Sequence, residues 1–371
     1  MAGSSRKRLL FICGSINQTT QMHQISKELG EYEHAFTPYY GNLDFDLMKR
    51  IGALEGTIGG HKLTRRCLDY LEKHDLPVDF KGAKGFDLAF QCSDLVRPNN
   101  LNPDNMILVQ EGMTDPPSLL YPIYNRLKIG GRRIFPGFIA GTSTFGLSGQ
   151  YKLLCAASPG YKDEFARRGA DNERIVVTGI PNFDDCERYK RNNFPFKDYL
   201  LCCTSDTREV FWFEDRKAVI DRAVRVANGR QVIFKLHPNE KVDRATREIE
   251  RWAPGAIVFT SGSAEEMVAN CSILMCTYSS VAYVGIALGK EVHSFYPNEE
   301  LHRLVPLQNK CSAKNIADVA RESLGDIPVG EAKRRIDGRA ALMAPRGANG
   351  SPRPDIPSPP SRSVARSGVA A

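Results

Sequence analysis

Short apolar runs alternate with amphipathic segments along most of the chain. The runs are rich in leucine, β-branched or aromatic residues and stop at polar residues or glycine, which is typical of short strands. Predicted strands cover residues 9–13, 34–39, 87–91, 106–110, 151–157, 174–178, 199–203, 231–236, 256–259, 272–276 and 291–296. Predicted helices cover residues 19–29, 44–54, 61–74, 117–127, 160–168, 208–227, 243–252, 264–269, 281–288 and 313–324. This alternation predicts an α/β protein with parallel sheets and helices on both of their faces.

A polar stretch at residues 183–198 interrupts the alternation and predicts an interdomain linker. We therefore predict an N-terminal Rossmann-like domain at residues 1–190 and a C-terminal one at residues 191–330, which face each other across a cleft. The segment 331–371 is rich in Pro, Ser, Arg and Ala and has almost no large apolar residues. That composition predicts a disordered tail whose removal leaves the fold intact.

Composition and charge narrow the classes of function. The chain has 42% apolar and 25% charged residues, and no apolar run approaches the ~18 residues of a membrane helix. The ten cysteines form no CxxC pair and several lie in apolar runs, which indicates reduced thiols in the cytoplasm. Eight Lys/Arg and three Asp/Glu after residue 330 carry +5 of the formal charge of +7, which leaves +2 for the rest. The folded part is thus nearly neutral, and a nucleic-acid partner is not expected.

Polar residues follow several of the predicted strands, and in parallel sheets such residues meet at one edge. In the second half, residues 232–236 end at His237, and residues 272–276 end at Thr277, followed by Ser279 and Ser280 where a helix is predicted to begin. Hydroxyl groups and backbone N–H groups at such a position suit phosphate. The alternative is that the two serines only cap a helix.

The strings KLHPNE at residues 235–240 and TYSSVAYVGIALGK at residues 277–290 carry a family resemblance. They resemble the nucleotide-binding half of GT-B glycosyltransferases of the bacterial capsule, teichoic-acid and CDP-glycerol-transferase-like group, and they are similar to UDP-N-acetylglucosamine 2-epimerases, which share that fold. The N-terminal half agrees in order, with Gly14-Ser15, Asp94, Glu111-Gly112, Ser158-Pro159 and TGIPNFDD at residues 178–185. The resemblance covers about residues 8–325.

The resemblance implies a GT-B fold and a nucleotide site in the C-terminal domain. The residues that it assigns to the nucleotide are Thr204, Ser205, Thr207, Arg208, Lys235, His237, Glu240, Thr277, Ser279 and Ser280. The candidates for catalysis are Asp94, Glu111 and His237, with Asp115 as a further acid and His23 as a more remote possibility in a helix. A solvated loop carboxylate is the alternative interpretation of each acid. No metal is implied, because His, Arg and backbone N–H groups can stabilise a departing diphosphate.

Two features depart from the family pattern. Family members often carry a glutamate for the ribose hydroxyls four residues after the second serine, where this chain has Val284. If that position faces the cleft, Val284→Glu is expected to tighten nucleotide binding. GT-B proteins also usually end in a helix that crosses back onto the first domain, and nothing helical and amphipathic is predicted after residue 324 except a short basic stretch near Lys333.

The resemblance implies three functions that the sequence leaves open. The leading one is a metal-independent glycosyltransferase that uses a UDP-, CDP- or CMP-linked donor and a glycan or lipid-linked acceptor in bacterial surface polysaccharide synthesis. The second is a UDP-N-acetylglucosamine 2-epimerase, and the third is a degenerate GT-B module without turnover. The expected location is the cytoplasm, with peripheral contact to the inner membrane face as a possibility. No cofactor is expected.

Overall fold

The first half of the chain folds around a six-stranded parallel sheet with the strand order β2-β1-β3-β4-β7-β8. This computed structural model describes residues 6–55, 57–94, 98–114, 128–129, 132–133, 146–206, 208 and 214–343. The strands are β1 (Arg8–Cys13), β2 (Glu33–Pro38), β3 (Leu88–Gln91), β4 (Met106–Val109), β7 (Leu153–Ala156) and β8 (Ile175–Val177). A separate antiparallel pair is formed by β5 (Lys128–Ile129) and β6 (Arg132–Arg133).

Side chains alternate between two apolar layers on either face of this sheet. Phe11 in β1 stacks on Phe36 and Phe90 of the neighbouring strands, at centroid distances of 5.1 and 4.9 Å. Leu10 and Ile12 point to the opposite face, where they join a second buried cluster. The helices that cover the sheet are α1 (Ile16–Lys27), α2 (Leu43–Arg50), α3 (His61–Lys73) and α4 (Pro159–Arg168).

The second half contains a five-stranded parallel sheet with the order β11-β10-β9-β12-β13. Its strands are β9 (Leu200–Cys203), β10 (Val232–Lys235), β11 (Ile257–Phe259), β12 (Ile273–Cys276) and β13 (Glu291–His293). Its helices are α5 (Arg216–Ala227), α6 (Val242–Trp252), α7 (Ala264–Asn270), α8 (Val281–Ala287) and α9 (Asn298–Leu304). All eleven predicted strands are present, and the predicted pair of parallel sheets is confirmed. The helix predicted at residues 117–127 lies outside the described residues.

The chain returns to the N-terminal domain after α9. Helix α10 (Ser312–Ser323) packs on α1, and its Ile316 and Val319 lie in the same buried cluster as Phe11. The Lys7 ammonium donates to the carbonyl of Leu324 at 2.7 Å. The segment predicted to belong to the C-terminal domain, residues 191–330, is therefore divided between the two domains in the structure.

The expectation of disorder from residue 331 is wrong for residues 331–343, which form helix α11 (Glu331–Met343). Ala332 and Ile336 are buried against the N-terminal domain, and Arg335 and Arg339 pair with Asp318 of α10 at 3.2 and 2.7 Å. Only two of the apolar side chains described in this helix are buried, and they lie among many charged residues, which gives a weak sequence signal. The pairing with Asp318 is invisible in the pattern. Together, α10 and α11 supply the return to the first domain that the sequence did not predict.

Within the described residues, every helix is too short or too polar to cross a lipid bilayer.

We predict that Ile336→Ala lowers the free energy of unfolding by about 2 kcal/mol, because it leaves a cavity where α11 meets the N-terminal domain. Leu342→Ala is the matched control, since Leu342 lies on the same helix and is 85% exposed. Chemical denaturation of both variants provides the measurement. Equal, small effects of the two substitutions would show that α11 does not contribute to the packed core.

Candidate functional site

Three of the candidate segments lie together because the central strands of the C-terminal sheet are parallel and in register. Cys203 at the end of β9 lies beside Lys235 of β10 on one side and Cys276 of β12 on the other. The chain therefore continues into Thr204, His237 and Thr277 at the same edge of the sheet. The predicted common edge is confirmed, while Thr207 lies outside the described residues and nucleotide contact stays a prediction.

A buried ionic network lies directly beneath this edge. Glu240 accepts hydrogen bonds from the backbone N–H of His237 at 2.9 Å and from the hydroxyl of Thr204, and it pairs with the Arg216 guanidinium at 2.6 Å. The side chains of Arg216 and Glu240 are 2% and 1% exposed. Glu240 and Thr204 thus join the ends of β9 and β10 to each other, and the structure gives both an architectural role.

Two predicted cationic phosphate ligands contact groups of the protein instead. The Arg208 guanidinium donates two hydrogen bonds to the Glu248 carboxylate, at 3.0 and 2.9 Å. The Lys235 ammonium is buried and donates to the carbonyl of Leu236 at 3.0 Å. Ser205 donates to Glu214 at 2.8 Å. Any phosphate contact by these three side chains requires exchange of an existing partner.

His237 is better placed to meet a ligand. Its side chain is 38% exposed, and its Nδ1 accepts from the backbone N–H of Asn239 at 3.3 Å and lies 3.5 Å from the Asp206 carboxylate. Among the described residues, its Nε2 has no partner. In the neutral tautomer whose Nδ1 accepts from Asn239, the proton is on Nε2, and His237 then presents a hydrogen-bond donor at the edge of the sheet.

The predicted serine pair reaches the N-terminal domain. Ser280 Oγ accepts a hydrogen bond from the backbone N–H of Met113 at 2.8 Å. A Cβ atom on Gly112 would lie 2.5 Å from Ser280 Oγ, so only glycine permits this approach. Ser279 Oγ accepts from Val281 N at 3.4 Å, and Thr277 is half-buried beside it. The loop that follows β4 and the loop that follows β12 therefore meet across the cleft.

Glu111 stands immediately before that contact, on the N-terminal side. Its carboxylate accepts hydrogen bonds from Ser15 Oγ at 2.8 Å and from Gln18 Nε2 at 2.6 Å. Burial raises the pKa of the Glu111 carboxyl above its ordinary value, and the hydrogen bonds from Gln18 and Ser15 offset part of the rise. A carboxyl group with a raised pKa beside a cleft suits proton transfer. Gln18 had no signal of its own in the sequence.

The other candidates in the N-terminal half have different surroundings. Asp94 is buried and accepts from the backbone N–H groups of Leu147 and Ser148, each at 3.1 Å. That geometry joins the end of β3 to the chain that leads into β7. His23 is buried and bonds through Nδ1 to the Tyr70 hydroxyl at 3.0 Å, between α1 and α3. Asp115 lies outside the described residues.

A group of tyrosines at the domain boundary escaped the sequence analysis. The hydroxyls of Tyr161 in α4 and Tyr283 in α8 are 2.5 Å apart, and both side chains are buried. Thr114 N–H donates to Tyr161 Oη at 3.3 Å, and Tyr296 Oη donates to the Thr114 carbonyl at 3.2 Å. Buried tyrosine hydroxyls need partners, and the hydroxyls of Tyr161 and Tyr283 bond to each other across the domain boundary.

Val284 does not face a cleft. It is 1% exposed and lies in an apolar cluster with Leu274 and Leu288. The position therefore has no room for a carboxylate that binds ribose, and the idea that a glutamate here would tighten nucleotide binding is not supported by its surroundings. Among the described residues, no group of three or more His, Cys, Asp or Glu side chains has an arrangement suited to a metal ion.

Comparison with solved structures identifies the architecture. A protein from Listeria monocytogenes assigned as a UDP-N-acetylglucosamine 2-epimerase superposes with a TM-score of 0.56 and 12% sequence identity, over 87% of this chain and 98% of that one. The fold is GT-B. S. aureus MnaA in complex with UDP gives the same TM-score with 9% identity, over 86% of this chain and 98% of its own. No protein-family model matches the chain, and no curated protein matches it at a significant level.

The predicted GT-B class is thereby confirmed, and the match covers both sheets of the chain. The loop that follows β4, which contains Glu111, contacts the loop that follows β12 at the boundary between the two sheets. Identities of 12% and 9% extend to the fold and not to an activity.

We predict that Glu111→Gln raises the melting temperature at pH 8 and changes it little at pH 4. The folded-state pKa of Glu111 lies above its ordinary value near 4.5. Above that pH the unfolded chain releases the proton before the folded protein does, so stability decreases as pH rises through this range. Glutamine removes that penalty. Thermal melts at both pH values provide the measurement, with Glu173→Gln as the control because Glu173 is exposed. A difference in melting temperature between Glu111→Gln and the wild type that decreases from pH 4 to pH 8 would contradict the raised pKa of Glu111.

We also predict that Val284→Glu lowers the free energy of unfolding by about 3 kcal/mol, because it buries a carboxylate without a partner. Val224→Glu is the control, since Val224 is 43% exposed on a helix of the same domain. Denaturation curves of the two variants should separate clearly. A stable Val284→Glu protein with tighter nucleotide binding would instead restore the ribose interpretation.

Proposed function

We propose that this protein is a metal-independent glycosyltransferase that takes a sugar or polyol phosphate from a nucleotide-activated donor. The observation that carries the proposal is the meeting of the Glu111-Gly112 loop with Ser280 across the cleft. Glu111, whose carboxyl group has a raised pKa, is the residue before Gly112 in this contact, and Ser280 belongs to the loop that is expected to hold the donor phosphates. An acid or base beside a leaving diphosphate is the arrangement that group transfer needs.

In this proposal Glu111 acts as the base, and His237 and Ser279 stabilise the leaving group. Glu111, in its ionised form, accepts the proton of an acceptor hydroxyl as the acceptor oxygen bonds to the transferred group. With a nucleoside-diphosphate sugar, the bond between the sugar carbon and the diphosphate breaks, and the nucleoside diphosphate leaves with the electron pair. With a nucleoside-diphosphate polyol, the pyrophosphate bond breaks instead, and the nucleoside monophosphate leaves with the electron pair. The Nε2–H of His237 and the hydroxyl of Ser279 donate to the departing oxygens. The hydroxyl of Ser280 joins them after it exchanges its bond to Met113.

The surroundings of the two candidate carboxylates, Asp94 and Glu111, favour transfer over epimerisation. Epimerisation of a free nucleotide sugar uses paired acid and base carboxylates. Of the candidate acids that the structure describes, Asp94 accepts from two backbone amides and holds the chain together. Glu111 is the other, and one base is sufficient for transfer to a hydroxyl.

The 2-epimerase remains the second candidate, because the Listeria monocytogenes protein with the same fold is assigned that activity. The donor nucleotide is proposed to be UDP, on the ground that S. aureus MnaA, with the same fold, holds UDP. A CDP- or CMP-linked donor is the alternative that the resemblance to the capsule and CDP-glycerol group supports. Bacterial surface polysaccharide synthesis in the cytoplasm is the proposed setting. The ten free cysteines, nine of them buried, fit a reducing compartment.

We predict that UDP raises the melting temperature in a panel of UDP, CDP, CMP and GDP, and that His237→Ala weakens UDP binding about tenfold. A hydrogen bond to a charged phosphate contributes about 1.5 kcal/mol, which corresponds to that factor. His61→Ala is the control, since His61 is an exposed histidine of the N-terminal domain. Calorimetry on the three proteins gives the affinities, and equal binding by all three would exclude His237 from the site.

Incubation with UDP-N-acetylglucosamine then separates the activities. Transfer predicts release of UDP only when an acceptor from a glycan and polyol-phosphate panel is present, and loss of that release in Glu111→Gln with UDP affinity retained. Formation of the 2-epimer without acceptor would establish the epimerase instead. Tight nucleotide binding with neither product would identify a module without turnover.

A further inference from the structure

Two aromatic rings lie half-exposed at the edge of the C-terminal sheet. Tyr278 is 51% exposed and follows the buried strand β12, and Phe295 is 54% exposed and follows the edge strand β13. Their ring centroids are 5.3 Å apart at an angle of 48°, and Tyr278 also meets Tyr296 edge-on at 5.4 Å. We call Tyr278 and Phe295 the aromatic platform. Adjacent exposed rings are costly to leave in water and mark a contact surface.

Hydrogen bonds connect the loops that carry the aromatic platform to each other and to the N-terminal domain. Tyr278 stands between Thr277 and Ser279 in the loop that follows β12. Ser294 Oγ donates to the Thr277 carbonyl at 2.9 Å, which joins the loop after β13 to the loop after β12. Tyr296 in turn donates to the carbonyl of Thr114 in the N-terminal domain. The platform therefore lies at the rim of the cleft, next to the loop that carries Glu111.

The order of the strands decides which part of a donor reaches the platform. His237 follows β10 and Phe295 follows β13, which is three positions along the sheet, or about 14 Å at the usual spacing between strands. A diphosphate held by His237 and Ser279 lies between β10 and β12. Its two ends then extend in opposite directions, one towards β11 and one towards β13. The loops after β12 and β13 contact the segment that follows Glu111, through Ser280 with Met113 and Tyr296 with Thr114. We therefore assign the reacting group to the end towards β13 and the base to the end towards β11.

We propose that the aromatic platform binds the sugar ring of a nucleotide-sugar donor and orients it towards Glu111. A pyranose ring has an apolar C–H face that packs on an aromatic side chain, while its hydroxyls remain free for polar contacts. Tyr278 and Phe295 are thus specificity residues for a ring-shaped donor group. This inference rests on the proposed nucleotide site and adds the class of the transferred group, since a linear polyol phosphate has no such face.

The test compares UDP with UDP-N-acetylglucosamine by calorimetry on the full chain. Phe295→Ala and Tyr278→Ala are each expected to weaken UDP-N-acetylglucosamine by about threefold to tenfold and to leave UDP within twofold, as a lost aromatic contact contributes about 0.5–1.5 kcal/mol. Tyr278→Phe keeps the ring and should retain the affinity. Phe80→Ala is the control, because Phe80 is 61% exposed in the other domain. Unchanged melting temperatures establish that the variants fold.

The outcomes separate this inference from the proposed function. If Phe295→Ala and Tyr278→Ala lose affinity for UDP and for UDP-N-acetylglucosamine equally, the inference is overturned and the aromatic platform is assigned to the uracil base. Unchanged affinities for both ligands, or equal binding of both by the wild type, would overturn it while the nucleotide site stands. A loss specific to the sugar without any transfer would support the platform and reject the glycosyltransferase. Binding of neither ligand by the wild type would reject both proposals.

Discussion

The hydrogen bond between the Tyr161 and Tyr283 hydroxyls is the contact around which the two domains are arranged. Each hydroxyl is buried, and a buried hydroxyl without a partner destabilises a protein by roughly 1–3 kcal/mol. The two side chains lie in one apolar cluster that contains residues of both sheets, such as Leu154 and Leu274. The same domain boundary contains the close approach of Gly112 to Ser280, one residue after Glu111.

A buried ion pair holds the edge of the C-terminal sheet without being exposed to a ligand. Arg216 and Glu240 pair inside the domain, and Glu240 also accepts from the backbone at His237. A buried ion pair adds little net stability, yet removal of one partner is costly because the other charge is then left unpaired. Its effect here is to set the positions of the loops after β9 and β10. The half-exposed His237 is presented by this rigid support.

The chain crosses between the domains twice, and the two crossings are bonded to each other. The Asp184 carboxylate, in the first crossing, accepts from the backbone N–H groups of Lys310 and Ser312 at 2.5 and 2.8 Å. Ser312 begins α10, so the same contact satisfies free N–H groups at the start of that helix. Helices α10 and α11 then cover the N-terminal sheet. The relative position of the two sheets is therefore limited by a pair of linked crossings and not by a single linker.

Local patterns in the sequence were sufficient for the strands, the parallel sheets and the common edge at Thr204, His237 and Thr277. These features depend on the periodicity of apolar residues and on strand direction, which neighbouring residues determine. The partners of the candidate side chains depended on the tertiary structure. Arg208 meets Glu248 across 40 residues, and Asp94 meets the amides of Leu147 and Ser148 across 53 and 54.

Whether a residue is buried also depended on contacts with segments that are distant along the chain. A valine at position 284 is compatible with a cleft wall or with a core, and only the packing of α8 on β12 decided for the core. The apolar residues of helix α11 are too few for its own sequence to predict the helix. It is stabilised by the pairing of Arg335 with Asp318 and by the packing of Ile336 on the N-terminal core. The sequence by itself determined which segments become strands and which polar residues follow them. Tertiary structure decided which of those polar residues remain available to a ligand, because the partners of residues such as Arg208 and Asp94 are distant along the chain.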